Sequence, residues 1–157
     1  EFRDAADRVI RDQGAHALQY SATEGEGELR DMIARHTARY GIAITRDNVL
    51  ITSGSQQALD LIGRVFLNPG DHVLVEAPTY LGALQAWSAY QAEYLTAGMD
   101  DDGMRMHELG SALRGGPKFI YALPNFQNPT GVPLKYNSPA TLYSLSANCA
   151  GAEICEI

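Results

Sequence analysis

The stretch Thr52-Ser53-Gly54-Ser55-Gln56-Gln57 has the residue types of an anion-binding turn. Before it, Asn48-Val49-Leu50-Ile51 is a short β-branched apolar run that predicts a buried strand. After it, apolar residues at 58, 59, 61, 62, 65 and 66 predict a helix over 55–67. A small-residue turn from strand into helix aims backbone N–H groups and the positive end of the helix dipole at one point, and so holds a phosphate without any basic side chain. Gly54 lets an anion approach the backbone, while the Ser55 hydroxyl and the Gln56 amide add donors. The same residues also read as a plain turn capped by Ser55.

Two more polar clusters stand at the ends of apolar runs. Ala77-Pro78-Thr79-Tyr80 follows His72-Val73-Leu74-Val75-Glu76, and Pro124-Asn125-Phe126-Gln127-Asn128-Pro129-Thr130-Gly131 follows Lys118 to Leu123. Both runs read as strands, and ligands of parallel α/β sheets sit beyond the carboxyl ends of their strands. One crevice would then hold a phosphate, an aromatic face and a carboxamide. Each cluster keeps a structural reading too: Tyr80 as a core or rim residue, and Asn128-Pro129-Thr130-Gly131 as ordinary turn chemistry.

The positioning elements follow from periodicity. Helices are expected over 2–13, ended by Gly14, over about 28–40, and over 55–67, 80–90 and 105–114. Strands are expected over 48–52, 72–76, 92–96 and 118–123. Asn68-Pro69-Gly70-Asp71 is a turn, and Asp100-Asp101-Asp102-Gly103 an exposed acidic turn without the ligand spacing of a calcium loop. Gly25-Glu26-Gly27 is not a dinucleotide loop, because no strand precedes it and Arg30 stands at the third glycine position. The alternation predicts an α/β fold with a mostly parallel sheet covered on both faces.

Composition limits the partners. At 157 residues, 45% hydrophobic and 20% charged, the chain is globular, and its net charge of −7 speaks against nucleic acid and anionic membranes. A small metabolite fits better. Cys149 and Cys155 form neither a zinc motif nor a disulfide framework, so no metal is expected and the cytoplasm is the expected compartment. No apolar run is long enough to span a membrane, and residues 1–4 do not read as a signal peptide.

Several blocks carry a family likeness. Gln19-Tyr20-Ser21 with Glu24-Gly25 and Leu29-Arg30, then Ser53 to Leu61, Asn68 to Asp71, Glu76 to Tyr80 and Pro124 to Gly131 resemble the fold type I, pyridoxal-phosphate-dependent aminotransferases of class I/II. Within these they are most similar to the 2-aminoadipate and kynurenine aminotransferase branch. The likeness runs over 17–134 in order and spacing. It implies a three-layer sandwich, here an incomplete large domain, with pyridoxal 5'-phosphate as cofactor and an amino acid and a 2-oxo acid as substrates. Gly54, Ser55 and Gln56 would hold the phosphate, Tyr80 would lie on the pyridine ring, and Asn128 would donate to the ring's phenolic oxygen. Tyr20 would reach the phosphate of a neighbouring subunit, implying a homodimer. Residues 1–30 would be an N-terminal helix and linker segment, partly small domain and dimer arm; 31–134 would be part of the cofactor-binding domain and 135–157 a divergent tail.

The likeness also has a gap. In the family, the Schiff-base lysine, the aspartate at the pyridine nitrogen and the arginine at the substrate carboxylate mostly follow the Asn-Pro-Thr-Gly segment. The lysines here, Lys118 and Lys135, match neither in position nor in context. With no initiator methionine and with an uncharged stretch after Leu134, where Ser138 and Pro139 would begin a short helix, the chain reads as an N-terminal piece, inactive alone and with exposed sheet edges. Two alternatives share the cofactor: the effector domain of a GntR/MocR-like transcription regulator, and a fold-type I lyase or decarboxylase. Asn125-Phe126-Gln127-Asn128 favours the aminotransferase over the regulator.

Overall fold

Apolar residues three and four apart make Phe2–Gln13 (α1) a helix, which Gly14 ends at φ 55 with its N–H on the Ile10 carbonyl. The computed structural model describes residues 1–40, 43–132 and 153–156. They divide into two compact units, Glu1–Thr52 and Ser53–Ile157. The first also holds Gly27–Thr37 (α2), which runs into a 3-10 turn, Ala38–Tyr40.

The strand expected over 48–52 does not form. Arg46–Asn48 is a 3-10 turn behind a Thr45 capping box, and residues 49–52 join no sheet. Their backbone is bound one group at a time: the Ile51 N–H donates to the Glu24 carbonyl at 2.9 Å, and Arg30 Nε donates to the Val49 carbonyl at 2.9 Å. Leu50 is 52% exposed. An apolar run of three, Val49 to Ile51, predicts burial and extension but names no hydrogen-bonding partner.

The second unit is built on a sheet. Ser55–Phe66 (α3) precedes His72–Ala77 (β1), Leu81–Ser88 (α4), Glu93–Asp100 (β2), Gly103–Met104 (β3), Met106–Leu113 (α5), Phe119–Ala122 (β4) and Glu153–Glu156 (β5). The strand order is β3-β2-β1-β4-β5, with every pair parallel except the β2–β3 hairpin. Neither β3 nor β5 was expected. β5 lies along β4 and is the terminal strand of the sheet on that side among the described residues. The stretch around Lys135, Ser138, Pro139 and Cys149 falls outside the described residues.

Two cores lie on the two faces of the sheet, as side-chain alternation along β1 and β4 requires. Val73, Val75, Phe119 and Tyr121 pack with Leu59 of α3 and Ala83 and Trp87 of α4. Leu74, Ile120 and Ala122 pack with Leu109 and Leu113 of α5. This is the expected three-layer arrangement.

Trp87 fastens the first of these layers. Fully buried, it meets Phe119 edge-on at 5.1 Å and Tyr121 at 5.2 Å, and its Nε1–H donates to the Leu59 carbonyl at 2.9 Å. At Gly63 an added Cβ would come within 2.9 Å of the Trp87 ring, so the small residue permits the contact. Trp87→Ala should therefore lower unfolding stability by about 3–5 kcal/mol, from a large cavity and the lost indole hydrogen bond. Urea unfolding monitored by circular dichroism measures this, and a loss of under about 1 kcal/mol would show that the ring does not hold α3, α4 and the sheet together.

Candidate active site at the carboxyl ends of the central strands

The chain leaves β1 through α4 to β2 on one side, and then returns through β3 and α5 to β4 on the other side of β1. Successive connections thus diverge between β1 and β4, and such a switch point leaves a crevice beyond the strand ends. The loop after β1 carries Pro78, Thr79 and Tyr80, and the loop after β4 carries Leu123 to Gly131.

A pocket of about 250 Å³ lies there, lined by Ser55, Tyr80, Tyr121, Leu123 and Asn128. Three of the residues singled out from the sequence therefore share one hollow: the first residue of α3, the residue before α4, and the carboxamide after β4. Gly54 stands immediately before α3 at φ 85, a left-handed backbone that favours glycine, and an added Cβ there would meet nothing within 4 Å. The approach to the helix start is open, and the first N–H groups of any α-helix lack intrahelical acceptors. No strand leads into this turn; it takes its shape instead from α3 and from the Ser53 N–H, which donates to Gln57 Oε1 at 2.6 Å.

Gln56 follows Ser55 in the first turn of α3. It does not line the pocket, and its Nε2 donates to the Gly82 carbonyl at 3.3 Å, tying the start of α3 to the start of α4. Gly82 matters for a second reason: an added Cβ would come within 2.5 Å of Tyr80 Cε1 and Cζ, so the ring lies over this glycine. Tyr20 belongs to the first unit and is fully exposed.

Sequence reasoning missed the residues that join the two loops. Gln127 is 1% exposed; its Nε2 donates to Glu76 Oε2 at 3.1 Å and to the Pro78 carbonyl at 2.8 Å. Its Oε1 accepts from the Thr130 N–H at 2.9 Å and the Thr130 hydroxyl at 2.7 Å. Glu76, also 1% exposed, accepts the Leu123 N–H at 3.3 Å on Oε2, while its Oε1 has no partner among the described residues. Burial pushes this carboxyl up from its ordinary value, against the opposing hydrogen bonds from Gln127 and Leu123. The signal available in the sequence was a carboxylate closing an otherwise apolar strand.

Lys118 lies at the other end of β4. Its backbone N–H meets the His72 carbonyl at the start of β1, and its Nζ is 3.8 Å from Asp71 Oδ2. The four residues of β4 lie between it and Leu123 at the pocket, five steps of roughly 16 Å in all. Among the described residues no cluster of three or more His, Cys, Asp or Glu could hold a metal, and no helix is long and apolar enough to cross a membrane.

The aminotransferase class I and II family model matches residues 1–148. The chain belongs to this family. It is 44% identical over 146 residues to aromatic-amino-acid aminotransferase 1 of Thermococcus litoralis, covering 88% of this chain and 35% of that protein. It is 46% identical over 132 residues to the 2-aminoadipate transaminase of Thermus thermophilus, covering 83% of this chain and 32% of that one. The crystal structure of Pyrococcus horikoshii kynurenine aminotransferase, in complex with PMP, superposes with a TM-score of 0.88 at 42% identity, over 98% of this chain and 39% of that one. The chain thus spans about a third of the length of the class I and II aminotransferases that it matches.

A raised carboxyl pKa means that the folded protein holds a proton where the unfolded chain has released it. Stability contributed by Glu76 is then full below the unfolded value and falls as pH rises through the folded one. Glu76→Gln keeps the accepting oxygen and removes the titration. Its stability relative to wild type should climb as pH rises from 4.5, the ordinary value, toward neutrality, measured by urea unfolding across pH. A pH-independent difference would show that the carboxyl titrates normally.

Proposed function

We propose that the protein is a pyridoxal-phosphate-dependent aminotransferase, transferring an amino group between an amino acid and a 2-oxo acid, and that the pocket between β1 and β4 holds the cofactor. The observation that carries this is the convergence of Ser55, Tyr80 and Asn128 on one hollow in a chain of the aminotransferase family.

The pocket's chemistry fits the group. The start of α3, with Gly54 and Ser55, binds the phosphate through backbone N–H groups, the Ser55 hydroxyl and the helix dipole. Gln56 contributes through its backbone N–H, since its side chain braces Gly82. Tyr80 would supply an aromatic face for the pyridine, and Asn128 would donate a hydrogen bond to the ring's phenolic oxygen. Tyr121 and Leu123 supply apolar surface to the pocket's lining. Bound there, pyridoxal phosphate supplies the aldehyde and the electron-accepting ring on which the amino group is exchanged. Lys118, engaged at the opposite end of β4, takes no part.

The full-length protein is a cytoplasmic homodimer in which Tyr20, fully exposed on its own chain, reaches the partner's phosphate. Residues 1–30 serve as dimer arm and linker, and 31–134 as part of the cofactor-binding domain. Sedimentation equilibrium of the full-length protein at twice its own mass, and free thiols at Cys149 and Cys155, are expected; a full-length monomer or a disulfide would contradict this assignment.

Pyridoxamine 5'-phosphate is the better probe of the pocket, because it lacks the aldehyde that would label any accessible lysine. Fluorescence titration should give a dissociation constant raised about tenfold or more by Asn128→Ala and by a similar factor in Tyr80→Ala. Gly82→Ala should reproduce the Tyr80 effect by pushing the ring aside, and Lys118→Ala should bind as the wild type does. Equal affinity across all four would remove the site from this pocket.

A further inference from the structure

Asn128 points into the pocket from a loop with little else to fix it. It is exposed, as are Asn125, Phe126, Pro129 and Thr130 around it. Phe126, 85% exposed, is held at φ 52, a left-handed backbone that a bulky residue adopts only when its surroundings impose it. Within this exposed run Gln127 alone is buried, and it makes every hydrogen bond that its carboxamide can make: two from Nε2, to Glu76 and Pro78, and two at Oε1, both from Thr130. Its carbonyl also accepts the Gly131 N–H at 2.5 Å.

We infer that Glu76 is a positioning residue: through Gln127 it sets the loop 126–131 and thereby the direction in which Asn128 faces the pocket. The donor pattern requires it. Glu76 Oε2 accepts from both Gln127 Nε2 and the Leu123 N–H, so it fixes which end of the Gln127 side chain points inward as Nε2. The other end, Oε1, is then committed to Thr130. Were residue 76 apolar, one Gln127 N–H would be buried without an acceptor, the amide would turn or leave, and the turn at Thr130 would lose both of its bonds to Oε1. The same Oε2 takes the Leu123 N–H, so one carboxyl oxygen anchors both the exit of β4 and the loop that follows it. That the loop is ordered this way stands on the geometry alone; its consequence for ligand affinity rests on the pocket being the cofactor site.

Three variants separate positioning from simple core packing. Glu76→Gln retains an accepting oxygen, Glu76→Met fills the space without one, and Thr130→Val removes one donor to Oε1 at an exposed position. Hydrogen exchange of the Thr130 amide and titration with pyridoxamine 5'-phosphate are read alongside the unfolding midpoint. Glu76→Met should speed Thr130 exchange at least tenfold and weaken binding at least tenfold, while Glu76→Gln should stay within twofold of wild type in both. Thr130→Val should weaken binding at least threefold and shift the Gln127 side-chain amide resonances, with the midpoint unchanged. The inference is overturned if Glu76→Met lowers the midpoint but leaves Thr130 exchange alone, or if Glu76→Gln fails as Glu76→Met does. Should Glu76→Met not fold, an unchanged affinity and an unchanged amide spectrum in Thr130→Val overturn it. If the wild type does not bind the probe, the cofactor reading fails, and exchange in the Glu76 variants with the Gln127 spectrum in Thr130→Val still decides the inference.

Discussion

A carboxamide taken out of water must find a partner for each of its N–H groups and for its oxygen, and the architecture of the candidate site follows from meeting that requirement at Gln127. Its partners come from the end of β1, from the loop after β1 and from its own turn. Two loops that the topology sends in different directions are thereby joined where they leave the sheet. Without that junction, Tyr80 and Asn128 would stand on independent surface segments. With it, they share the walls of one pocket with Ser55.

The remaining parts divide the work. Parallel β1 and β4, buried on both faces, supply a floor that does not move, and Trp87 locks the helices α3 and α4 onto one side of it. The helices in turn deliver their amino-terminal ends to the pocket: α3 presents Ser55 behind the open backbone at Gly54, and α4 begins directly after Tyr80. The bond from Gln56 to the Gly82 carbonyl keeps these two helix starts in register, and the bare Gly82 leaves room for the tyrosine ring. Polar side chains at the other end of the sheet, Asp71 with Lys118 and His72 with Glu93, are structural partners away from the pocket.

Much of this was legible in the chain, for identifiable reasons. Helices α1 and α3 carry clear apolar periodicity, and β1 and β4 are apolar runs closed by proline-containing loops, so their existence and their order gave the three-layer fold. The placing of Tyr80 and Asn128 near strand ends followed from that order, whereas Ser55 was placed behind a strand that does not form. The run Asn48 to Ile51 misled because β-branched apolar residues predict extension, while a strand is defined by partners that local sequence does not name; here Glu24 and Arg30 bind the backbone instead. The two-residue strand β3 is too short to carry a period, and β5 stands in a stretch with no alternation to read. Gln56 was assigned by residue type, yet side-chain direction depends on the neighbouring helix start. Glu76 and Gln127 escaped notice because their pairing links residues 51 positions apart, and only the sheet order brings them together.

The central claim is that an anion docks at the amino-terminal end of α3 within the pocket between β1 and β4. Backbone amide chemical-shift mapping of the isotopically labelled chain, titrated first with inorganic phosphate and then with pyridoxamine 5'-phosphate, addresses it most directly. The account predicts that phosphate moves the amides of Gly54, Ser55, Gln56 and Gln57, and that the complete ligand extends the response to Tyr80 and Asn128. Saturable shifts confined to other surfaces, with these residues unmoved, would contradict it.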